Sequence, residues 1–468
     1  MADQNPETSK KPRRDTFRAL GLGLISGAAD DDPSAIGTYA SAGASLGPSF
    51  LWTAPATLPM MFAVVYLSAK LGQVAGKGLF AVIREHYPKW ILYLSLTGVL
   101  IGNTIEAGAD LGGMAAALNL LIPIPIGWIV VGTAATIVAV QIWGSYTFIR
   151  NTFRWLALAL LAYVGSAILA KPSLRDVIRG SLIPHFSLDR HFLSLLVAVI
   201  GTTLSAYLYS WQSNQEVEEE IAKGRTRLEQ RKGATDDELA KSRKDVLFGM
   251  LFSNLVMYFI ILSTAASLFK TGKTDINSAA QAAEALRPLA GNAAKVLFAL
   301  GVVGVGFLAV PVMTTGAAYD LAQTAGWRHG LHKKPGKSKK FYGAILGFTL
   351  AAVAMNFLGF NPMKALVWSG VIQGFSTPPL MFLIMLMTNN RKIMGDRVNG
   401  LGMNILGWLT TAIISAASLL LLWTWMTGAP AHAAQDLQNR PSSLRALICR
   451  ENRLVRTPTD PLFLGRSR

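Results

Sequence analysis

Asp30-Asp31-Asp32-Pro33-Ser34-Ala35 interrupts what otherwise reads as the first membrane helix of this chain. Before it runs Phe17 to Ala29, apolar and rich in small residues, and after it runs Ile36 to Leu46, again small and apolar. Three adjacent carboxylates in hydrocarbon are very costly on a plain helix surface, so an intramembrane acidic run reads first as a functional site. Pro33 removes a backbone donor and breaks the helix locally. A helix broken at mid-membrane, with freed carbonyls beside a carboxylate, is how transporters build cation sites. The competing reading makes Phe17–Ala29 a re-entrant or interfacial piece and leaves the aspartates in water.

Half of the 468 residues are hydrophobic and 15% are charged, against about 25% charged in an ordinary soluble domain. Several uncharged runs reach the roughly 20 residues needed to cross a bilayer core of ~30 Å. The chain therefore reads as an all-α polytopic membrane protein. Its net charge of +17 does not point to nucleic acid, because the basic residues fall in alternate loops, the positive-inside pattern. One cysteine, Cys449, permits no disulfide within the chain and no cysteine metal cluster. Met1 to Arg14 is polar and basic, and the segment after it is too weakly hydrophobic for a cleavable signal peptide.

Eleven spans are expected: a broken first span over 17–46, then 51–70, 91–122, 126–141, 155–169, a second broken span from Phe192, and 246–269, 293–320, 341–358, 364–387 and 401–426. The segments 73–89, 146–154, 214–245, 327–340 and 389–400 are basic and share one side with the N-terminus. That side is expected to be the cytoplasm, with the C-terminus opposite. Residues 1–16 then form a cytoplasmic tail, 17–426 the membrane domain, and 427–468 a tail without periodicity, read as disordered. The segments 171–191 and 221–245 read as loops, the latter with some helical potential. Thr202-Thr203-Leu204-Ser205-Ala206 is the expected unwound centre of the sixth span. Interruptions in spans one and six would relate two five-helix halves of opposite topology, and paired interruptions point to a central substrate site.

At these residues the chain resembles the natural resistance-associated macrophage protein (Nramp) family of divalent-metal transporters. That family has Asp-Pro-Gly-Asn in broken helix one and Ala-x-x-Met-Pro-His in broken helix six, where this chain reads Asp32-Pro33-Ser34-Ala35 and Thr202-Thr203-Leu204-Ser205-Ala206-Tyr207. Leu71–Leu79, Gly108-Ala109-Asp110-Leu111 and Arg391–Gly395 add to the resemblance, which covers about residues 17–426. It implies a LeuT-type inverted repeat of five plus five helices with one extra, broken helices one and six, and alternating access around a metal at mid-membrane. Asp32 matches the metal-binding aspartate and the Thr202 carbonyl matches a carbonyl ligand. The family's asparagine is Ala35 here, its methionine Ser205, and its histidine Tyr207. Asp110 keeps the aspartate of the proton exit, but its glutamate partner is Gly113, and the arginines of span nine have no counterpart between Phe341 and Leu358. Loss of the thioether removes a soft ligand, while hydroxyl, carbonyl and carboxylate suit magnesium and manganese. This is similar to the Nramp-related magnesium transporters.

Three consecutive carboxylates cannot share one helix face, so Asp31 is at most a second ligand beside Asp32, and Ser205 a third. Glu106 and Asp110 are four apart and share a face, which makes them candidates for a proton or cation relay, with a pair satisfied by Asn103 and Thr104 as the plain alternative. Gln373 is a candidate site-lining residue, Asp320 reads as interfacial, and Glu216–Glu220 as a vestibule or a solvated face. The expected function is secondary transport of divalent cations across the inner or plasma membrane: manganese and iron by family, magnesium and manganese by local chemistry. Proton coupling stays open, since only Asp110 of the usual route is evident. The alternative is an amino-acid or organic-cation carrier of the same fold. Ser-His-Asp, His-Glu-x-x-His and phosphate-loop patterns are lacking, so no enzyme and no cofactor is expected.

Overall fold

The computed structural model describes residues 22–143 and 158–427, all of them helix, turn or irregular backbone. The tails at 1–16 and 428–468, Cys449, Arg150, Arg154 and the start of the fifth span lie outside the described residues. The first span is two helices, α1 (Leu22–Asp30) and α2 (Pro33–Leu46). α3 (Thr53–Ala75), α4 (Leu79–His86), α5 (Lys89–Asn119) and α6 (Ile126–Trp143) follow, then α7 (Ala162–Leu169) and α8 (Leu174–Leu182). The sixth span is α9 (Arg190–Thr203) and α10 (Ala206–Ala222). α11 (Asp236–Ser267), α12 (Ala294–Ala325), α13 (Lys339–Met355), α14 (Pro362–Thr388) and α15 (Leu401–Thr427) complete the chain. A helix stands at each of the eleven expected spans, and among the described residues seven helical stretches are long and apolar enough to cross a membrane.

Both interruptions are present. Asp31 and Asp32 separate α1 from α2, and Leu204 and Ser205 separate α9 from α10. The second break is narrower than expected, because helix persists through Thr203. Asp32 has extended backbone (φ −63°, ψ 172°), and its carboxylate caps α2 by accepting the Ala35 N–H at 2.7 Å. Pro33 occupies the first turn of α2, where its missing donor costs nothing. The two halves repeat one arrangement: α2 packs on α11 as α10 packs on α3, and α5 and α12, the third helices of the halves, pack on each other. This is the inverted five-plus-five repeat, and α15 is the added helix, lying against α9 and α14.

Small residues let the broken helices approach their neighbours closely. A Cβ on Gly201 would stand 2.0 Å from the Gly370 carbonyl oxygen of α14, and one on Gly27 2.2 Å from that of Gly249 on α11. Membrane helices associate by such contacts because lipid supplies no hydrophobic drive between them.

The loops hold more helix than expected. α4 lies within 73–89 and α8 within 171–191. α11 starts at Asp236, well before Val246, because Thr235 and Glu238 form a reciprocal capping box. The Asn214–Glu220 run belongs to α10 and is not a loop.

Candidate functional site

Ser34 ties the first break to α5. Its backbone N–H donates to Asp110 Oδ1 at 2.9 Å. Its hydroxyl lies 2.7 Å from Asp32 Oδ1 and 3.4 Å from Glu106 Oε1. The four-residue spacing on α5 thus sets two carboxylates over one residue of the break. Ser205, in the second break, lies 3.2 Å from the same Glu106 oxygen and 3.0 Å from the Thr202 carbonyl oxygen. Gln373 of α14 donates to Glu106 Oε2 at 2.7 Å, and its Nε2 is 3.3 Å from Asn103 Oδ1. Tyr207, on the first turn of α10, places its hydroxyl 3.1 Å from Asp32 Oδ2 and 2.9 Å from the Ala29 carbonyl oxygen. That carbonyl belongs to the last turn of α1, where helix carbonyls lack intrahelical partners and attract cations.

The structure thus joins Asp32, Glu106, Asp110, Ser205, the Thr202 carbonyl, Tyr207 and Gln373 in one network. Ala35 is fully buried beside it and contributes its N–H. Asp31 is directed elsewhere: its Oδ1, at 3.2 Å, and Asp30 Oδ2, at 2.7 Å, both face the Ser253 hydroxyl of α11. All five carboxylates have 0% exposure. Among the described residues none is ion-paired with a lysine or arginine, and Asp30 Oδ1, Asp31 Oδ2 and Asp110 Oδ2 accept no hydrogen bond. Burying such charges is favourable only with compensation, so the cluster calls for positive charge from cations or protons. Among the described residues no group of three or more His, Cys, Asp or Glu side chains is arranged to hold a metal alone. Backbone and hydroxyl oxygens have to complete any ligand set here.

Ser34 and Ser253 contact these carboxylates without having been singled out from the sequence. A lone serine in a membrane helix commonly bonds its own preceding turn, and only packing reveals that Ser253 meets two aspartates. Asp320, expected at the interface, is fully buried and accepts the Ser210 hydroxyl of α10. Glu216 and Glu220 are buried as well, Glu216 accepting from Gln73 and Gln212 at 2.7 and 2.9 Å, so neither reading of that run as exposed acid holds for them.

The profile of the family described as natural resistance-associated macrophage protein-like matches residues 23–424. The chain belongs to the Nramp family. Among its relatives, the "Divalent metal cation transporter MntH" of Chromohalobacter salexigens is 29% identical over 447 residues, covering 92% of this chain and 96% of that protein. The MntH of Deinococcus radiodurans is 27% identical over 423 residues, with 87% and 90% covered. In fold, the chain is similar to the Eremococcus coleocola manganese transporter, with a TM-score of 0.69 at 18% identity over 97% and 94% of the two chains. It is also similar to Mhp1, a nucleobase-cation-symport-1 family transporter, with a TM-score of 0.54 at 15% identity over 89% and 94%.

The departures of this Nramp chain from the family pattern have a structural basis. At Gly113 a Cβ would meet Leu366 at 3.0 Å and Pro33 at 3.4 Å, so those side chains close the place where the resemblance puts a glutamate. Tyr207 supplies a hydroxyl to Asp32 from the position of the family's histidine.

Proposed function

We propose that the chain is a secondary transporter that carries divalent metal cations across the cell or inner membrane by alternating access. The observation that carries this reading is the buried cluster of Asp32, Glu106 and Asp110 beside two helix breaks, without a basic partner among the described residues. Its family relatives are named divalent metal cation transporters. A partly dehydrated ion takes oxygens of Asp32 and the Ala29 and Thr202 carbonyls, with Ser205 direct or through water. It displaces the Tyr207 hydroxyl from Asp32. Asp31 serves the approach to the site from its place beside Ser253.

The donors are hard oxygens, and hard oxygens suit magnesium and manganese over softer metals. Glu106 and Asp110 receive protons when the ion leaves, so they are the groups through which coupling to a proton gradient would run. The positive-inside pattern of the basic loops supports an N-terminus in the cytoplasm and the end of α15 outside.

The test is flux into proteoliposomes of magnesium, manganese and calcium, with an internal pH dye and Asp32→Ala as control. Saturable magnesium and manganese uptake that Asp32→Ala abolishes is the expected result. Absence of flux for every metal overturns the reading, and internal acidification during uptake decides proton coupling. The amino-acid carrier gains no support from the site, because an anionic substrate group would face Asp32.

A further inference from the structure

A second cavity lies on the basic face of the molecule, apart from the cluster of Asp32, Glu106 and Asp110. It is a cavity of about 800 Å³ between α4, α10, the end of α12 and the segment that follows it. This lies in the range of small-molecule sites, ~300–1,000 Å³. Five basic side chains line it, Lys77, Arg84, Arg231, Arg328 and Lys333, against two acidic ones, Glu85 and Glu218. Both acids are engaged: Glu85 with Lys77, and Glu218 with the Tyr319 hydroxyl at 2.6 Å, His332 at 2.8 Å and the Leu331 N–H at 3.2 Å. Among the described residues Arg84 and Arg231 bond to backbone carbonyls alone, Arg84 to Gln323 at 3.1 Å and Arg231 to Thr226 at 2.8 Å among them. Arg328 and Lys333 make no side-chain hydrogen bond or ion pair with any described residue. The cationic excess would repel a divalent metal, so this space is not an aqueous route for the cargo.

We infer that this cavity binds a phosphate-bearing anion of about nucleotide size, which regulates transport. Guanidinium groups bind phosphate through paired charge-assisted hydrogen bonds. Trp327, also on the wall, has the Lys340 ammonium over one ring face, 5.5 Å from its centroid. Positive-inside residues that only orient a membrane protein have no need to converge on a concavity. The means of regulation is α10. Its first turn carries Tyr207 at Asp32, and Asn214, Val217 and Glu218 on the same rod line the cavity, about 10–16 Å further along. An anion bridging Arg231 and Arg328 braces the far end of α10 and slows the movement that opens the metal site. That effect rests on the transport reading, whereas the binding itself does not.

The experiment measures thermal unfolding of the full chain in phosphatidylcholine nanodiscs, titrated with pyrophosphate or with adenosine triphosphate free of divalent metal. A parallel arm adds phosphatidylglycerol to the nanodisc without soluble phosphate. Arg328→Gln with Lys333→Gln is the test variant, since neither side chain bonds to another described residue, and Lys270→Gln is the control. A saturable stabilisation that the double variant weakens at least about tenfold, with the control unchanged, is expected. If only the phosphatidylglycerol arm gives it, the site stands and its ligand is a lipid headgroup. No saturable shift in either arm, or an equal shift in the double variant, overturns the proposal. Failure of metal flux leaves this binding result intact. With flux present, the bound anion on the basic side lowers the uptake rate of wild type and not of the double variant.

Discussion

Asp32 is oversubscribed. Both of its oxygens accept hydrogen bonds, from Ala35 and Ser34 on one side and from Tyr207 on the other. A cation at this residue competes with the tyrosine. Tyr207→Phe is therefore expected to lower the KM for metal several-fold while lowering thermal stability, because the Ala29 carbonyl loses its buried donor, a loss of about 1–3 kcal/mol. Uptake titrations together with unfolding curves check both parts, and a raised KM refutes the competition. Ser205 is the second lever. Ser205→Cys puts a soft, nearly isosteric donor beside Glu106, and cadmium uptake relative to magnesium is expected to rise about tenfold. An unchanged ratio in a competition assay would show that residue 205 is not among the ligands. The residues at this scale were partly legible from sequence. Asp32, Glu106, Asp110 and Gln373 stand out because polar groups in hydrocarbon are expensive. Ser34 and Ser253 do not, since serine is cheap there and its partners come from helices 72 and 222 positions away.

The breaks dominate at the level of elements. Asp32 and Pro33 end one helix and start another by rules that sequence states openly, capping and the proline at the first turn. The second break has no proline, and its limits were less legible: Ser205 marks it, while Thr202 and Thr203 stay helical. α4 and α8 were missed because they are only 8 and 9 residues long and lie inside stretches read as polar loops. The early start of α11 was written in Thr235-x-x-Glu238, and Thr235→Ala is expected to cost about 1 kcal/mol in thermal unfolding. α9 meets α14 through Gly201 with no room for a methyl group. Gly201→Ala is expected to destabilise the fold by about 1–3 kcal/mol, more than the same change at Gly132, where a Cβ meets nothing within 4 Å. Comparing melting temperatures of the two variants checks this.

Taken whole, the molecule is shut at its centre: the five carboxylates are unexposed, and Ser26 of α1 is held to Gln212 of α10 at 2.5 Å on the way to Glu216. Ser26→Cys in a Cys449→Ser background should label slowly with a thiol reagent, and Gln212→Ala should speed that labelling. A rate unchanged by Gln212→Ala would separate this contact from opening. The halves, their repeat and the position of the site were legible because they follow from where apolar runs stop. Closure was not, because it depends on side chains from both halves meeting. Among the described residues no lysine or arginine is ion-paired with these carboxylates, and that has an electrical consequence. With no built-in countercharge, loaded and empty carriers differ by the full charge of the ion less any protons exchanged. Each uncompensated charge feels about 2.3 kcal/mol per 100 mV of membrane potential. Turnover is then itself a current, and a voltage clamp reads how many protons leave when one metal ion binds.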